Sequence, residues 1–355
     1  MINLPLFGQT EKLRLGIAGL THSHVNGILS NPNHEAVTVV GIAEPNQELA
    51  QKYAKRHGFS MDLVYPSLEE MIKATQPEAV AAFNSIYEHL EVVEICAPKG
   101  IHVMVEKPLA VNMEHARMMQ KLAVENNIHL LTNYETSWYP TNHKAYELLK
   151  DGKIGTLRKV IIRDGHRGPK KIGVNPEFLE WLTDPKMNGG GAIIDFGCYG
   201  VNLMTWLMQG EKPQSVTAVT QQLQPENNPK VDDEANIILV YDQANALVEA
   251  SWNWPMGRKD MEIYGLTGAI YADNKHTMRI RIAEGYSDFQ EEMIKLDNLP
   301  TPYDDPFSVF AAVINNQIKL QPYDLSSLEN NMMVVEILDA ARKSARLKKT
   351  ITLQD

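Results

Sequence analysis

The chain has 355 residues, a length that predicts two domains. Hydrophobic residues make up 44% and charged residues 22%, which excludes a disordered or fibrous chain. Lys+Arg 34 against Asp+Glu 44 leave a net charge of −10, which repels phosphate backbones and argues against a nucleic-acid partner.

No stretch approaches the ~18 consecutive apolar residues of a spanning helix, so no membrane partner is expected. Met1 to Lys12 has no basic start followed by an apolar core, so it does not read as a signal peptide. The two cysteines, Cys96 and Cys198, sit in apolar surroundings with nothing to pair them. A cytoplasmic location is the expectation.

The first third alternates strand and helix. Leu13 to Gly19 is a short apolar run ending in Gly, with a helix starting near His24. Ala36 to Ala43 is a β-branched run suited to a strand buried on both faces. Asn46 caps an amphipathic stretch that ends before Gly58, and Ser67-Leu-Glu-Glu70 is a capping-box pattern. Glu78 to Asn84 is the next strand, and the helix after it stops at Gly100. Ile101 to Val105 is a strand, Asn112 caps a helix to about Glu125, and Ile128 to Leu131 begins one more strand. Helices between strands imply parallel pairing with right-handed crossovers. The fold class is therefore α/β, with a doubly wound, Rossmann-like domain over residues 1–134.

Residues 135–355 change character. Strands are expected at Thr156–Asp164, Val216–Gln224, Ala235–Tyr241, Ala246–Trp252, Met261–Tyr264 and Ala269–Ala272. Short turns between the later ones favour an antiparallel sheet. Helices at about Thr141–Lys150, Ala192–Leu207, Phe307–Asn315 and Ser327–Arg346 make this an α+β domain with one sheet face covered.

Ligands of an open parallel sheet bind beyond the carboxyl ends of its strands. Gly19-Leu-Thr-His-Ser-His24 stands where a G-x-G-x-x-G loop belongs, but only Gly19 fits, with Thr21 and His24 at the other two positions. Glu44 ends the second strand, where a carboxylate accepts ribose hydroxyls and favours NAD over NADP; a solvated strand-end acid is the alternative. Val105-Glu-Lys-Pro108 ends another strand, and Lys107 there is either a ligand for a substrate oxygen or a solvated turn charge. In Gly189 to Asn202, a helix places Asp195, Tyr199 and Asn202 on one polar face among Ile193, Ile194, Phe196 and Val201. Such a face requires a cleft or a buried hydrogen-bond network.

Leu15-Gly-Ile-Ala-Gly19, Glu106-Lys-Pro108, Asp151-Gly-Lys-Ile-Gly155, Gly189-Gly-Gly-Ala-Ile-Ile-Asp-Phe-Gly197 and Tyr264-Gly-Leu-Thr-Gly268 together resemble the Gfo/Idh/MocA family. The resemblance implies a Rossmann domain followed by a domain with a large, mostly antiparallel open sheet that forms a homodimer or homotetramer contact. It implies NAD(P)-dependent oxidation or reduction of a sugar, polyol, cyclitol or related carbonyl compound. It places Lys107 beside nicotinamide and substrate and makes the Lys107–Pro108 peptide cis. Tyr199 stands where the family usually has His, a variant in which Tyr is the acid/base, with Lys107 as the cation that lowers its pKa. Asp195 then orients substrate or Lys107. The expected cofactor residues are Gly19, Thr21, His22, Ser23, His24, Glu44, Asn84, Ser85, His89, Glu106, Lys107 and Pro108, although Asn84-Ser-Ile-Tyr87 departs from the family's usual run there. Trp138, His166, Trp181 and Asn202 are the expected substrate contacts.

Two competing readings remain at this stage. His22-Ser-His24 also resembles the first ligand pair of a metal-dependent hydrolase, which needs further His and Asp ligands, for instance His89 and Asp195. The altered glycine loop also suits a non-catalytic sensor that binds a dinucleotide or sugar. No metal belongs to the favoured reading.

Overall fold

In the computed structural model, which describes residues 11–353, the chain forms two sheets. Most of the segment read above as lacking a signal peptide lies outside the described residues. The first region runs β1 (Leu13–Ala18), α1 (Val25–Leu29), β2 (Val37–Ala43), α2 (Gln47–His57), β3 (Val64–Tyr65), α3 (Leu68–Thr75), β4 (Ala79–Ala82), α4 (His89–Cys96), β5 (His102–Glu106), α5 (Met113–Glu125) and β6 (Leu130–Asn133). Its sheet is wholly parallel, in the order β3-β2-β1-β4-β5-β6. The strand order reverses between β1 and β4, and a ligand crevice opens at such a point. Caps fall where the sequence puts them: Asn46, Ser67 and Asn112 each accept a backbone N–H of the first turn.

The second region runs α6 (Pro140–Lys150), β7 (Leu157–Gly165), α7 (Pro169–Ile172), α8 (Pro176–Leu182), α9 (Ala192–Asp195), α10 (Gly197–Leu207), β8 (Ser215–Gln221), β9 (Glu234–Val240), β10 (Asn245–Ser251), β11 (Arg258–Gly265), β12 (Gly268–Ala272), β13 (Thr277–Glu284), β14 (Asp288–Lys295), α11 (Pro306–Ile314), α12 (Leu328–Leu347) and β15 (Ile351–Thr352). The sheet order is β14-β13-β12-β11-β7-β10-β9-β8-β15, antiparallel except for β7 with β10. β13 and β14 are not among the strands expected from the sequence. β14 is largely polar and exposed, so its apolar alternation is weak, whereas Met278, Ile280 and Ile282 of β13 do alternate with Arg279 and Arg281, a period the sequence offered.

The single helix expected over 192–207 is broken at Phe196 into α9 and α10. Asp232 fixes the start of α9 by accepting the N–H groups of Gly191 (2.9 Å) and Ile193 (2.8 Å). A Cβ at Gly191 would lie 1.8 Å from the Asp232 carbonyl oxygen, so only glycine allows this approach. α10 then lies directly on the sheet, with Gly200 over Val248.

The last helices return to the first sheet. Phe307, Val309, Phe310, Ala311 and Val313 of α11 share a core with Leu15, Ile17, Ile42 and Phe83. α12 bridges both regions: Val335 packs into the parallel-sheet core, and Val334, Ile337 and Leu338 into the other. Phe310→Ala, at a fully buried site, should therefore cost about 3–5 kcal/mol and destabilise the parallel-sheet region, as measured by urea unfolding.

Candidate active site

The two regions meet at a cavity of about 850 Å³ beyond the carboxyl ends of β1, β5 and β7. Lys107 follows β5 and is buried. Its Nζ donates to the Asp195 Oδ1 at 2.5 Å and to the Asp195 carbonyl at 2.8 Å. The other Asp195 oxygen, Oδ2, accepts from Trp252 Nε1 at 2.9 Å. Burial opposes both charges, but each outweighs the penalty on the other: the Asp195 carboxylate raises the Lys107 pKa, and the Lys107 ammonium lowers that of Asp195. Asp195 therefore orients Lys107.

Tyr199, one turn into α10, lies across this pair. The Lys107 Nζ is 5.0 Å and the Lys259 Nζ 4.7 Å from its ring centroid. Its hydroxyl makes no hydrogen bond among the described residues, while the residue lines the cavity. The expectation that Lys107 lowers its pKa does not hold. Burial raises it well above its ordinary value, and Glu135, Cys198 and Asp195 add to the effect.

Among the cavity residues not expected from the sequence, Glu135 and Lys259 form a charged pair beside Tyr199. Glu135, just past β6, is exposed at the cavity wall and pairs with Lys259 of β11; against a desolvation penalty, Lys259 brings its pKa down to about 2. The rule that function gathers beyond parallel strand ends would have flagged Glu135. Nothing in the sequence marks Lys259, which the register brings opposite Asp164.

Of the expected substrate contacts, His166 lines the cavity. Its Nδ1 accepts the Gly168 N–H at 3.0 Å, and burial lowers its pKa. Trp138 lines a smaller adjoining cavity with Ser23, His24 and Glu106, and donates to Asn133. Two placements are corrections. Asn202 is fully buried away from the cavity, donating to Leu325 O at 2.9 Å and to Asn331 of α12 at 3.4 Å. Trp181 packs on His22 (5.6 Å between ring centroids) instead of lining the cavity.

The expected cofactor residues divide into two groups. At the β1–β4 crevice, Gly19 adopts φ +82°, and a Cβ there would lie 2.9 Å from the Asn84 Cβ. Asn84 Oδ1 and His89 Nε2 are buried polar atoms without a partner, as expected where a polar ligand belongs. His89 Nδ1 donates to Leu109 O, and burial lowers the ring pKa to about 4. The Lys107–Pro108 peptide is cis, as the resemblance implied. These features fit a dinucleotide.

The pyrophosphate and adenosine side is closed. The N–H groups of Gly19, Leu20, His22 and His24 donate to Ala43 O, Glu44 Oε2, Phe83 O and His22 Nδ1. Thr21 points its hydroxyl at Phe83 O, and Ser85 donates to Glu88. Glu44 is buried, with its second oxygen on Asn46 N–H; burial raises its pKa. The α8 segment lies over this track: Phe178 packs at a tilt on His22 with ring centroids 4.6 Å apart, Asn175 donates to Tyr53 and Lys52 pairs with Glu177.

A doubly wound sheet with a Lys–Asp pair and a Tyr at its carboxyl edge defines a Rossmann-type oxidoreductase scaffold. Residues 13–134 match the family described as GFO/IDH/MocA oxidoreductase, NAD-binding Rossmann fold, and residues 142–271 match the GFO/IDH/MocA C-terminal domain. The chain belongs to this family. Trans-1,2-dihydrobenzene-1,2-diol dehydrogenase of Xenopus laevis is 31% identical over 180 residues, 51% of this chain and 51% of that enzyme. The chain thus spans about half the length of this relative. The fold is shared with aldose–aldose oxidoreductase of Caulobacter crescentus, complexed with glycerol (TM-score 0.79, 20% identity, 97% of this chain and 100% of that one). It is also shared with an inositol dehydrogenase homologue of Azotobacter vinelandii complexed with NAD+ (TM-score 0.79, 15% identity, 98% of each).

The buried pair sets a pH dependence. The lowered Asp195 pKa stabilises the fold above its ordinary value of 3.8, and that contribution is lost as pH falls through the folded value. The raised Lys107 pKa stabilises below 10.5 and is lost as pH rises through its folded value. Asp195→Ala, which leaves the ammonium buried and unpaired, should cost about 3–5 kcal/mol at neutral pH in urea unfolding, and less of it at acid pH.

Proposed function

We propose that the chain is an NAD(P)-dependent oxidoreductase acting on a CH–OH group of a sugar, polyol, cyclitol or related carbonyl compound. The observation that carries this reading is the Asp195-held Lys107 beside an unpartnered Tyr199 hydroxyl in one cavity. Bound nicotinamide would supply the hydride donor or acceptor, held by Asn84, His89, Lys107 and the Gly19 turn. Lys107 polarises the substrate oxygen, and Tyr199 exchanges its proton. Tyr199 gives its proton to the carbonyl oxygen in reduction and takes it from the hydroxyl in oxidation. A carboxylate at the end of β2 disfavours a 2′-phosphate and so favours NAD over NADP, but Glu44 would have to release the Leu20 and Asn46 N–H groups to meet a ribose hydroxyl.

No helix among the described residues is long and apolar enough to cross a membrane. The same reading carries a cytoplasmic homodimer or homotetramer joined through the open sheet face, where Val219, Ile238 and Val240 are exposed.

Tyr199→Phe should lower kcat about 10²–10⁴-fold with KM little changed, in a screen of sugars and polyols with NAD and of their carbonyl forms with NADH. A variant with full turnover removes Tyr199 from the mechanism. In calorimetry, NADH should bind more tightly than NADPH. Because α8 covers the track, Trp181→Ala should strengthen NADH binding several-fold by raising the competent fraction. If neither nucleotide binds the folded wild type or this variant, the oxidoreductase reading fails.

A further inference from the structure

The loop after β1 does more than lack glycines. His22, His24 and Glu106 each offer one ligand atom, and these atoms all lie within 4.8 Å of one another. His22 and Glu106 are buried and His24 is half-buried. Three different segment positions supply them: two alternate residues beyond β1 and the last residue of β5. His24 Nδ1 sits 2.9 Å from Glu106 Oε2, the kind of contact in which a cation replaces the shared proton. The far oxygen of Glu106 accepts from Asn133 Nδ2 at 2.8 Å, and Asn133 Oδ1 accepts from Trp138 Nε1 at 3.0 Å. That chain fixes the carboxylate in the way outer-shell groups fix metal ligands.

We propose that His22, His24 and Glu106 form a divalent-metal site, with zinc as the expected ion. Two imidazoles and a carboxylate suit zinc, and three protein ligands leave one position open. His22, His24, Lys107 and Tyr199 line the same cavity, so the open position takes a water or a hydroxyl or carbonyl oxygen of the substrate. Ligation by His22 gives up one modest hydrogen bond, the 3.1 Å contact from the His24 N–H to its Nδ1. The site explains why imidazoles stand where a pyrophosphate loop has glycine or small residues. Neither Asp195 nor His89 belongs to the cluster, and Asp195 is already held by Lys107 and Trp252.

The test uses the full chain purified without a metal-affinity tag, stripped with chelator and titrated with Co²⁺ and Zn²⁺. Binding is read from the Co²⁺ d–d absorption, from competition by Zn²⁺ and from elemental analysis, none of which depends on turnover. One equivalent per chain is expected, weakened at least 100-fold in His24→Ala and Glu106→Gln. Asn133→Ala, which leaves the ligands in place, should weaken it about 10–100-fold. Circular dichroism and thermal melts check that each variant is folded. Absence of a stoichiometric site in the wild type overturns the proposal. So does binding that is unchanged in the folded variants. NADH titration of the stripped and the metal-loaded protein separates this outcome from the oxidoreductase reading, because either ligand can bind or fail without the other.

Discussion

The Lys107–Asp195 ion pair is the constraint on which the rest of the site depends. Lys107 comes from the turn after β5 and Asp195 from the end of α9, so the pair joins the parallel-sheet region to the antiparallel one. Both groups are buried, and removing either from water is costly unless the partner stays in place. The geometry around them follows. Trp252 takes the remaining Asp195 oxygen, and the break at Phe196 frees the Asp195 carbonyl for Lys107. Tyr199 then lies over the ammonium.

That arrangement concentrates charge on one side of the cavity and leaves the other aromatic and imidazole-rich. Lys107 and Lys259 are each held by a carboxylate, Asp195 and Glu135, and face the Tyr199 ring between them. Asp164, buried with both oxygens unpartnered, is pushed toward its neutral form by burial. Across the cavity, His22 packs between His24, Phe178 and Trp181. A substrate oxygen entering this space meets a fixed cation and a protonated phenol, with no protein acceptor spent on the latter.

The fold is the familiar dinucleotide scaffold, yet its phosphate end is built differently. Amide groups that would otherwise face a pyrophosphate are satisfied by Glu44, Phe83 and Ala43, and α8 crosses above them. Polar atoms left without partners, Asn84 Oδ1 and His89 Nε2, lie nearer the crevice between β1 and β4. The family's sheet order is thus retained while the loops that read the ligand have diverged, as expected when a scaffold is stable independently of its site.

Much of the architecture was legible in the sequence because it rests on local rules. Apolar runs separated by capped helices gave the parallel sheet, and Asn46, Ser67 and Asn112 cap as their side-chain chemistry dictates. The ordered motifs around Gly19 and Lys107 marked strand ends, and the one around Asp195 marked the helix that faces them. What the tertiary structure alone decided was partnership across distance. The polar edge strand β14, the return of α11 to the first core, and the packing of Asn202 against α12 depend on contacts that no local period encodes. Lys259 reaches Tyr199 only through the register of β11 on β7. The Tyr199 pKa rises because folding buries it, and burial is a property of the packed molecule, which a list of neighbouring residue types does not contain.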